Sequence, residues 1–130
     1  MEEFKIHEQL VEGPKATVYR ALDSKKNRVI IKVLQENYSD PDRLARFRRE
    51  YEISSKIRSD KTANAILYSS YKGSPAIVME DFGGISLKEF IKEKGSVKNE
   101  KNLEHALSIA IEITSALADI HQQNIIHKDI

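Results

Sequence analysis

Two charged residues of the 130-residue chain stand in apolar surroundings, where they could form an ion pair. Lys32 interrupts the apolar run of residues 29–34, and Glu50 falls in the apolar half of a predicted helix. Burying a lone ammonium or carboxylate group is costly unless an opposite charge accompanies it. We therefore predict that Lys32 and Glu50 form a buried or semi-buried pair. The alternative is that Lys32 extends to solvent from an edge strand while Glu50 lies at the rim of the apolar face.

Two further places have residue types that suit phosphoryl chemistry. Gly13 lies in a turn, where glycine lets backbone N–H groups approach a phosphate closely, although an ordinary hairpin turn has the same composition. Asp129 follows His127 and Lys128, and a carboxylate beside a cation can act as a general base. A solvated surface turn is the alternative for this triplet. The remaining histidines have no metal-ligand spacing, so no metal site is predicted.

Five short strands and one helix are predicted to position these residues. Apolar, β-branched and aromatic runs separated by Gly, Pro, Asn and Asp predict strands at residues 4–10, 17–22, 28–34, 65–68 and 76–79. Between the third and fourth strands, Ser39 and Asp40 are N-cap candidates before Pro41, and an apolar period follows as far as Ile57. The pattern predicts an antiparallel sheet with one inserted helix, an α+β arrangement.

A second, helical part follows two adjacent glycines at 83 and 84. We place the boundary there, with one part at residues 1–82 and the other at 83–130. A capping-box pattern at residues 86–89 predicts a short helix through about residue 93, and residues 103–122 predict a long helix that is apolar on most of its circumference. This helix has too few partners to cover it, so we expect the chain to self-associate through helix 103–122.

Composition excludes several classes of protein. Hydrophobic residues make up 40% of the chain and charged residues 32%, and the net charge is +1, which does not suit non-specific binding to nucleic acid. Cysteine is absent, so a disulfide scaffold, a Cys-ligated zinc site and a thiol nucleophile are excluded. No apolar run approaches the length of about 18 residues that spans a bilayer, and the acidic N-terminus is unlike a secretory signal. We expect a cytoplasmic protein that binds neither membranes nor nucleic acid.

In their order along the chain, these features resemble the eukaryotic-type protein kinase family. Residues 29–32 (Val-Ile-Ile-Lys) look like the family's V-A-I-K strand, and residues 47–53 look like the helix that carries its paired glutamate. Residues 77–82 (Ile-Val-Met-Glu-Asp-Phe) resemble the strand that enters the hinge. Residues 124–130 resemble the start of the catalytic loop, with Lys128 in place of the usual arginine. The subgroup that looks most similar is the bacterial serine/threonine kinase module of hybrid sensor kinases.

The resemblance spans residues 4–130 and implies a fold and a set of site residues. The implied fold is a kinase-like N-terminal lobe, with a five-stranded antiparallel sheet and one helix, followed by the first helices of an incomplete helical C-terminal lobe. Lys32 would orient the phosphates of ATP, Glu50 would hold Lys32, and Asp129 would be the catalytic base. The implied nucleotide-binding residues are Gly13, Val18, Lys32, Met79 as gatekeeper, Glu80 and Phe82.

Two departures from the family pattern affect the expected activity. Val11 and Ala16 stand where the family's G-x-G-x-x-G-x-V has glycines, and a valine does not easily adopt a positive φ. The 130 residues end one residue after Asp129, so the catalytic-loop Asn and the D-F-G that would follow it are not among them. Those residues hold the two Mg²⁺ ions, and without them phosphoryl transfer should be negligible.

We therefore expect a fragment of an ATP-dependent serine/threonine protein kinase in signal transduction. The longer protein would use ATP, Mg²⁺ and a protein substrate, whereas this chain would hold no cofactor tightly and would be inactive. The alternative is a kinase-like regulatory module, a pseudokinase, that binds proteins without phosphoryl transfer. A small-molecule kinase of related fold is a third possibility.

Overall fold

A computed structural model describes residues 3–35, 40–94 and 100–125 of the chain. The described residues form five strands and three helices, and the chain divides into two compact units. The sheet unit consists of Met1–Ile57 and Ala63–Asp81. The helical unit consists of Arg58–Thr62 and Phe82–Ile130, so it takes in a short segment that lies between elements of the sheet unit in the sequence.

The sheet unit contains one antiparallel sheet in the order β1-β2-β3-β5-β4, which confirms the predicted sheet. Its strands are β1 (Lys5–Glu12), β2 (Ala16–Leu22), β3 (Arg28–Leu34), β4 (Ala65–Tyr71) and β5 (Ser74–Glu80). The last two strands are longer than predicted because the turn between them contains only two residues. These are Lys72 and Gly73, with φ values of 50° and 82°, as the tightest hairpins require.

Apolar residues cover both faces of the sheet. On one face Ala21, Val29, Ile31, Val33, Ala76 and Val78 form a buried cluster. On the other face Leu34 and Ile77 pack with Phe47 of the helix α1 (Pro41–Lys56). Because side chains alternate along a strand, β3 contributes to both clusters, and Lys32 lies on the same face as Leu34.

The first helix is fixed at its N-terminus by a side-chain cap. The Asp40 carboxylate accepts a hydrogen bond from the backbone N–H of Arg43 (3.0 Å), and Pro41 occupies the first turn. The other cap candidate, Ser39, lies outside the described residues. Ile53, predicted on the apolar face, is 37% exposed because that face is narrower than the sequence pattern suggested.

Both outer strands depart from regular pairing. The register of β1 against β2 shifts between Ile6 and Glu8 and again between Gln9 and Val11, and β4 shifts against β5 between Ala65 and Leu67. The pairings of β2 with β3 and of β3 with β5 are regular throughout. The irregularities therefore lie at the two edges of the sheet.

The helical unit contains α2 (Leu87–Lys94) and α3 (Glu100–Gln122). The Ser86 hydroxyl accepts a hydrogen bond from the Glu89 N–H (3.2 Å), as the capping-box pattern predicts. Past the end of α3, Asn124 has a φ of 61°, the left-handed conformation that commonly ends a helix. Among the described residues, no helix is both long enough and apolar enough to cross a membrane.

The C-terminal half of α3 is hydrogen-bonded to residues 58–62. The Gln123 side chain accepts from the Arg58 N–H (2.9 Å) and donates to the Arg58 carbonyl (3.2 Å). The Ser59 hydroxyl donates to the Asp119 carboxylate (2.7 Å). These bonds fasten the segment to α3, whereas the N-terminal half of the helix has the exposed apolar residues Leu103, Leu107 and Ile111.

Candidate functional site

The predicted ion pair forms: the Lys32 Nζ lies 2.5 Å from the Glu50 Oε1. The Lys32 side chain, 29% exposed, is semi-buried as predicted, whereas the Glu50 side chain, 50% exposed, is closer to the rim position of the alternative. Both side chains extend along the wall of an open cavity and not into the apolar core. The pair is therefore accessible to a ligand, and an exposed pair of this kind adds little to stability.

The register of the sheet determines which residues lie beside Lys32. Val18 on β2 and Ile77 on β5 are its direct cross-strand partners. Met79 pairs with Ile30, two residues before Lys32 on β3. Direct partners in an antiparallel sheet share a face, and residues two apart on a strand do too. The structure thus brings Val18, Lys32 and Met79 onto the face that carries α1.

An aromatic contact positions α1 so that Glu50 reaches Lys32. The Tyr68 ring of β4 lies 6.2 Å from the Phe47 ring and 5.6 Å from the Tyr51 ring, centroid to centroid. The Arg48 guanidinium lies 5.5 Å from the centroid of the same Tyr68 ring. From the sequence, Tyr68 is predicted only as a strand residue. The apolar run that precedes it gives no sign that α1 packs against it.

A cavity of about 240 Å³ opens beside the ion pair and lies wholly within the sheet unit. Its lining comprises Lys15, Ala16, Lys32, Leu34, Arg43, Arg46, Phe47 and Glu50. The four residues from α1 follow one another at intervals of three, one and three positions, which places them on one side of the helix. Four cations and one carboxylate line the cavity, so its charge and its size suit a phosphate group.

The turn between β1 and β2 is held in place by Gln35, which sequence analysis missed. The Gln35 side-chain amide donates to the Gly13 carbonyl (2.5 Å), and its backbone N–H donates to the Lys15 carbonyl (2.9 Å). The Gly13 N–H in turn donates to the Ala16 carbonyl (3.0 Å), and a Cβ at Gly13 would lie only 3.0 Å from that oxygen. Close packing therefore favours glycine at this position, whereas its backbone conformation does not demand it, since the φ of Gly13 is not in the left-handed region.

The two substitutions at family glycine positions fit this turn without strain. Val11 is paired with Val18 in the β1–β2 ladder, and Ala16 is paired with Leu34. Neither residue has a positive φ. The turn is therefore a well-bonded hairpin whose ends are strand residues.

The segment after β5 is fastened to the sheet by a buried acid that sequence analysis also missed. The Asp81 carboxylate is 1% exposed and lies 2.9 Å from the Arg20 Nε and 3.9 Å from the Arg28 Nε. Arg20 also contacts Glu8 on β1 (3.2 Å). Before this acid, Met79 is half-buried and Glu80 is exposed, with its N–H donating to the Asn64 carbonyl (3.2 Å). Phe82, predicted at the adenine site, is 67% exposed and belongs to the helical unit.

Residues for a metal ion are not found in the described part of the chain. Asp81, Phe82 and Gly83 spell D-F-G, but the Asp81 carboxylate is buried against Arg20. No group of three or more His, Asp or Glu side chains in residues 3–35, 40–94 and 100–125 could hold a metal. The predicted base Asp129 lies outside the described residues, as do His127 and Lys128. The cationic lining of the cavity suits phosphate oxygens, and the described residues contain no cluster of three ligands for a metal ion.

A five-stranded antiparallel sheet whose central lysine meets a glutamate of an inserted helix defines a protein kinase N-terminal lobe. A sequence model of the family described as protein tyrosine and serine/threonine kinase matches residues 4–130. The chain belongs to this protein kinase family. The resemblance to eukaryotic-type kinases, which rests on short motifs in their order along the chain, is thus confirmed.

The most similar curated relatives include bacterial serine/threonine kinases. The chain is 33% identical, over 98% of its length, to a probable serine/threonine-protein kinase of Clostridium acetobutylicum. It is 35% identical, over 91% of its length, to the serine/threonine-protein kinase PrkC of Bacillus subtilis. The chain spans only 19% and 18% of the lengths of these two relatives.

Solved kinase structures share the fold. The kinase domain of Mycobacterium tuberculosis PknI superposes with a TM-score of 0.74 at 19% identity, over 98% of this chain and 51% of that one. Residues 1–466 of Rad53, crystallised in complex with AMP-PNP, superpose with a TM-score of 0.77 at 22% identity, over 100% of this chain and 34% of that one. The α+β fold of a kinase N-terminal lobe followed by helices is thus confirmed.

Proposed function

We propose that this chain forms the nucleotide-binding part of a serine/threonine protein kinase that uses ATP. The contact between the Lys32 ammonium and the Glu50 carboxylate at 2.5 Å carries the proposal, because it holds a cation on the wall of a cavity of about 240 Å³. The similarity to Rad53, which was crystallised with AMP-PNP, supports the choice of an adenine nucleotide.

Each residue of the site has a role that its position allows. Glu50 fixes the direction of the Lys32 ammonium, which then orients the α- and β-phosphates. The turn at Gly13 covers the phosphates from the side of β1 and β2. Val18 and Met79, on the same face as Lys32, offer apolar contact to the adenine ring.

The catalytic step requires groups beyond those that the structure describes. ATP, when bound, supplies the phosphoryl group, and Asp129 receives the proton of the substrate hydroxyl. Phosphoryl transfer also needs metal ligands, and residues 3–35, 40–94 and 100–125 contain no group of three or more His, Asp or Glu side chains that could hold a metal. We therefore expect this chain to bind ATP weakly and to transfer no phosphoryl group, with turnover and protein-substrate binding confined to a longer protein.

The proposal is tested by titrating ATP into the ¹⁵N-labelled chain and following the backbone amides by NMR. We expect shifts at residues 16–18, 32–34 and 79–81, with a dissociation constant on the order of 1 mM or weaker. Lys32→Met should weaken the response at least about tenfold, which corresponds to about 1.4 kcal/mol. The control is Lys5→Met, which removes an exposed cation from β1 and should change nothing.

Equal responses from wild type and Lys32→Met, or shifts confined to the helical unit, would contradict the proposal. Phosphorylation of a generic protein substrate by the purified 130-residue chain would contradict the expected inactivity. Each variant is first compared with wild type by thermal unfolding, so that a loss of folding is not taken for a loss of binding.

A kinase-like regulatory module without phosphoryl transfer is the second candidate. Its support is the β1–β2 turn, where Val11 is held in the ladder with Val18 and Gln35 fastens Gly13. Such a turn has little freedom to close onto phosphates. This candidate is favoured if ATP causes no shift at any concentration. A full-length protein whose kinase activity disappears with Asp129→Asn would exclude it.

A further inference from the structure

Two of the four cations that line the cavity lack an acidic partner in the described part of the chain. Lys32 is paired with Glu50, and Arg43 is paired with Asp40 through a contact of 2.9 Å. Lys15 and Arg46 have no carboxylate within 4.0 Å among residues 3–35, 40–94 and 100–125. The positive charge that is left in the cavity therefore belongs to Lys15 and Arg46.

These two cations come from different elements and face the same space. Lys15 precedes β2, and its backbone carbonyl is fixed by Gln35, whereas Arg46 belongs to α1. Like charges that line one cavity repel each other, and an anion between them turns this repulsion into two attractions.

Charge and size together indicate the occupant. Once the pairs Lys32–Glu50 and Arg43–Asp40 are set aside, two positive charges remain, which match the two negative charges of a phosphoryl group. A water molecule takes up about 30 Å³ in the liquid, so a cavity of about 240 Å³ has room for such a group with some of its water. Guanidinium groups also bind phosphate oxygens through two parallel hydrogen bonds.

We propose that this cavity binds a phosphoryl dianion that bridges Lys15 and Arg46, at a subsite distinct from the Lys32 ammonium. The bound anion links the β1–β2 turn to α1 and so couples the two elements that carry Gly13 and Glu50. The evidence for this subsite is the pair of cations, Lys15 and Arg46, that line the cavity. It rests on the proposed function only where the phosphoryl group is the terminal phosphate of a nucleotide and not a free phosphate.

The test is an NMR titration of the ¹⁵N-labelled chain with pyrophosphate and with inorganic phosphate at constant ionic strength. We expect saturable shifts at the amides of Lys15 and Arg46 and at the Arg46 side-chain Nε. Lys15→Gln and Arg46→Gln should each weaken binding about tenfold. The matched control is Arg49→Gln, which removes the same charge from the same helix at an exposed residue that does not line the cavity. This control should change affinity by less than about twofold.

Three outcomes would overturn the proposal. One is the absence of saturable shifts at Lys15 and Arg46 with either anion. Another is equal weakening by Arg49→Gln and Arg46→Gln, which would show that only the general charge of the helix matters. The third is unchanged affinity in Lys15→Gln, which would remove the bridge. Thermal unfolding of each variant without ligand shows whether it is folded.

Two more arms identify the source of the phosphoryl group and separate this proposal from the proposed function. If ATP shifts the amide signals of Lys15 and Arg46 and AMP does not, the site binds the terminal phosphates of the nucleotide. If pyrophosphate or phosphate binds and ATP does not, the site binds the free anion.

The double variant Lys32→Met with Glu50→Met removes the ion pair without changing net charge. It should abolish the ATP shifts at residues 79–81 and retain pyrophosphate binding within about threefold. Loss of pyrophosphate binding in this variant would overturn the separate subsite.

Discussion

The sheet unit and the helical unit differ in how much apolar surface they bury. Of the ten buried apolar residues in the described part of the chain, nine lie in β2, β3, β5 and α1 of the sheet unit, and the tenth, Ile120, lies in the helical unit. The exposed large apolar residues are distributed the other way, with seven of ten in the helical unit. Along α3, Leu103, Leu107 and Ile111 are 48%, 56% and 67% exposed. They recur every four residues and so form one stripe.

The difference shows which unit could hold a site by itself. Lys32, Glu50 and the cavity beside them belong to the sheet unit, whose elements pack on each other through two apolar clusters. Phe82 belongs to the helical unit, as does Asp129, which lies outside the described residues. Binding of phosphates is thus a property that we expect of the sheet unit, and the helical unit is the part with more of its described apolar surface exposed.

The largest effect that would sharpen this comparison comes from truncating one isoleucine in each unit. Ile31→Ala, at a fully buried position of β3, should lower the free energy of unfolding by about 2–5 kcal/mol. Ile111→Ala, at a position of α3 that is 67% exposed, should change it by less than about 0.5 kcal/mol. Chemical denaturation followed by circular dichroism measures both values. Similar losses from the two variants would break the comparison.

A smaller effect is expected from neutralising one aspartate in each unit. Asp81→Asn leaves the half-buried Arg20 without its nearest carboxylate and should cost about 1–3 kcal/mol. Asp119→Asn keeps an oxygen that can accept from the Ser59 hydroxyl, so it should cost less than about 1 kcal/mol. The same denaturation experiment compares them. An Asp81→Asn variant as stable as wild type would show that the buried pair does not fasten the end of β5.

The smallest change in stability, with a clear change in assembly, is expected in the stripe on α3. We expect the chain to self-associate, and Leu107→Glu with Ile111→Glu should make it monomeric while altering unfolding by less than about 0.5 kcal/mol per site. Ile66→Glu, at a position of β4 that is 54% exposed, is the matched control and should leave association unchanged. Sedimentation velocity over a range of concentrations gives the readout. A wild-type chain that is monomeric throughout would contradict this expectation.

Much of the fold follows from local patterns in the sequence. The run from Arg28 to Leu34 has apolar residues on both faces and ends at polar turns, so its bounds could be predicted. The lengths of β4 and β5 could not, because Ser69, Ser70 and Tyr71 continue the ladder through pairing that a strand by itself does not show. The start of α3 was also missed, since residues 100–102 are polar and extend the helix before its apolar period begins.

The site was predictable only where a residue type conflicts with its surroundings. Lys32 and Glu50 are charges among apolar residues, and this conflict indicated that they meet. Gln35, Tyr68 and Asp81 are ordinary residues in ordinary local patterns, and their roles depend on partners that lie far away in the sequence. Such roles require the three-dimensional arrangement.

The register shifts at the two outer strands have a consequence for how copies of the chain can meet. An outer strand presents unpaired backbone groups that invite a strand of another molecule, and long regular edges promote fibre-like aggregation. Here β1 is interrupted twice and β4 once, so neither edge offers a straight template for such growth. Copies of the chain are therefore less able to pair through backbone hydrogen bonds between edge strands. Any contact between them would be made by side chains, which favours finite and reversible assemblies.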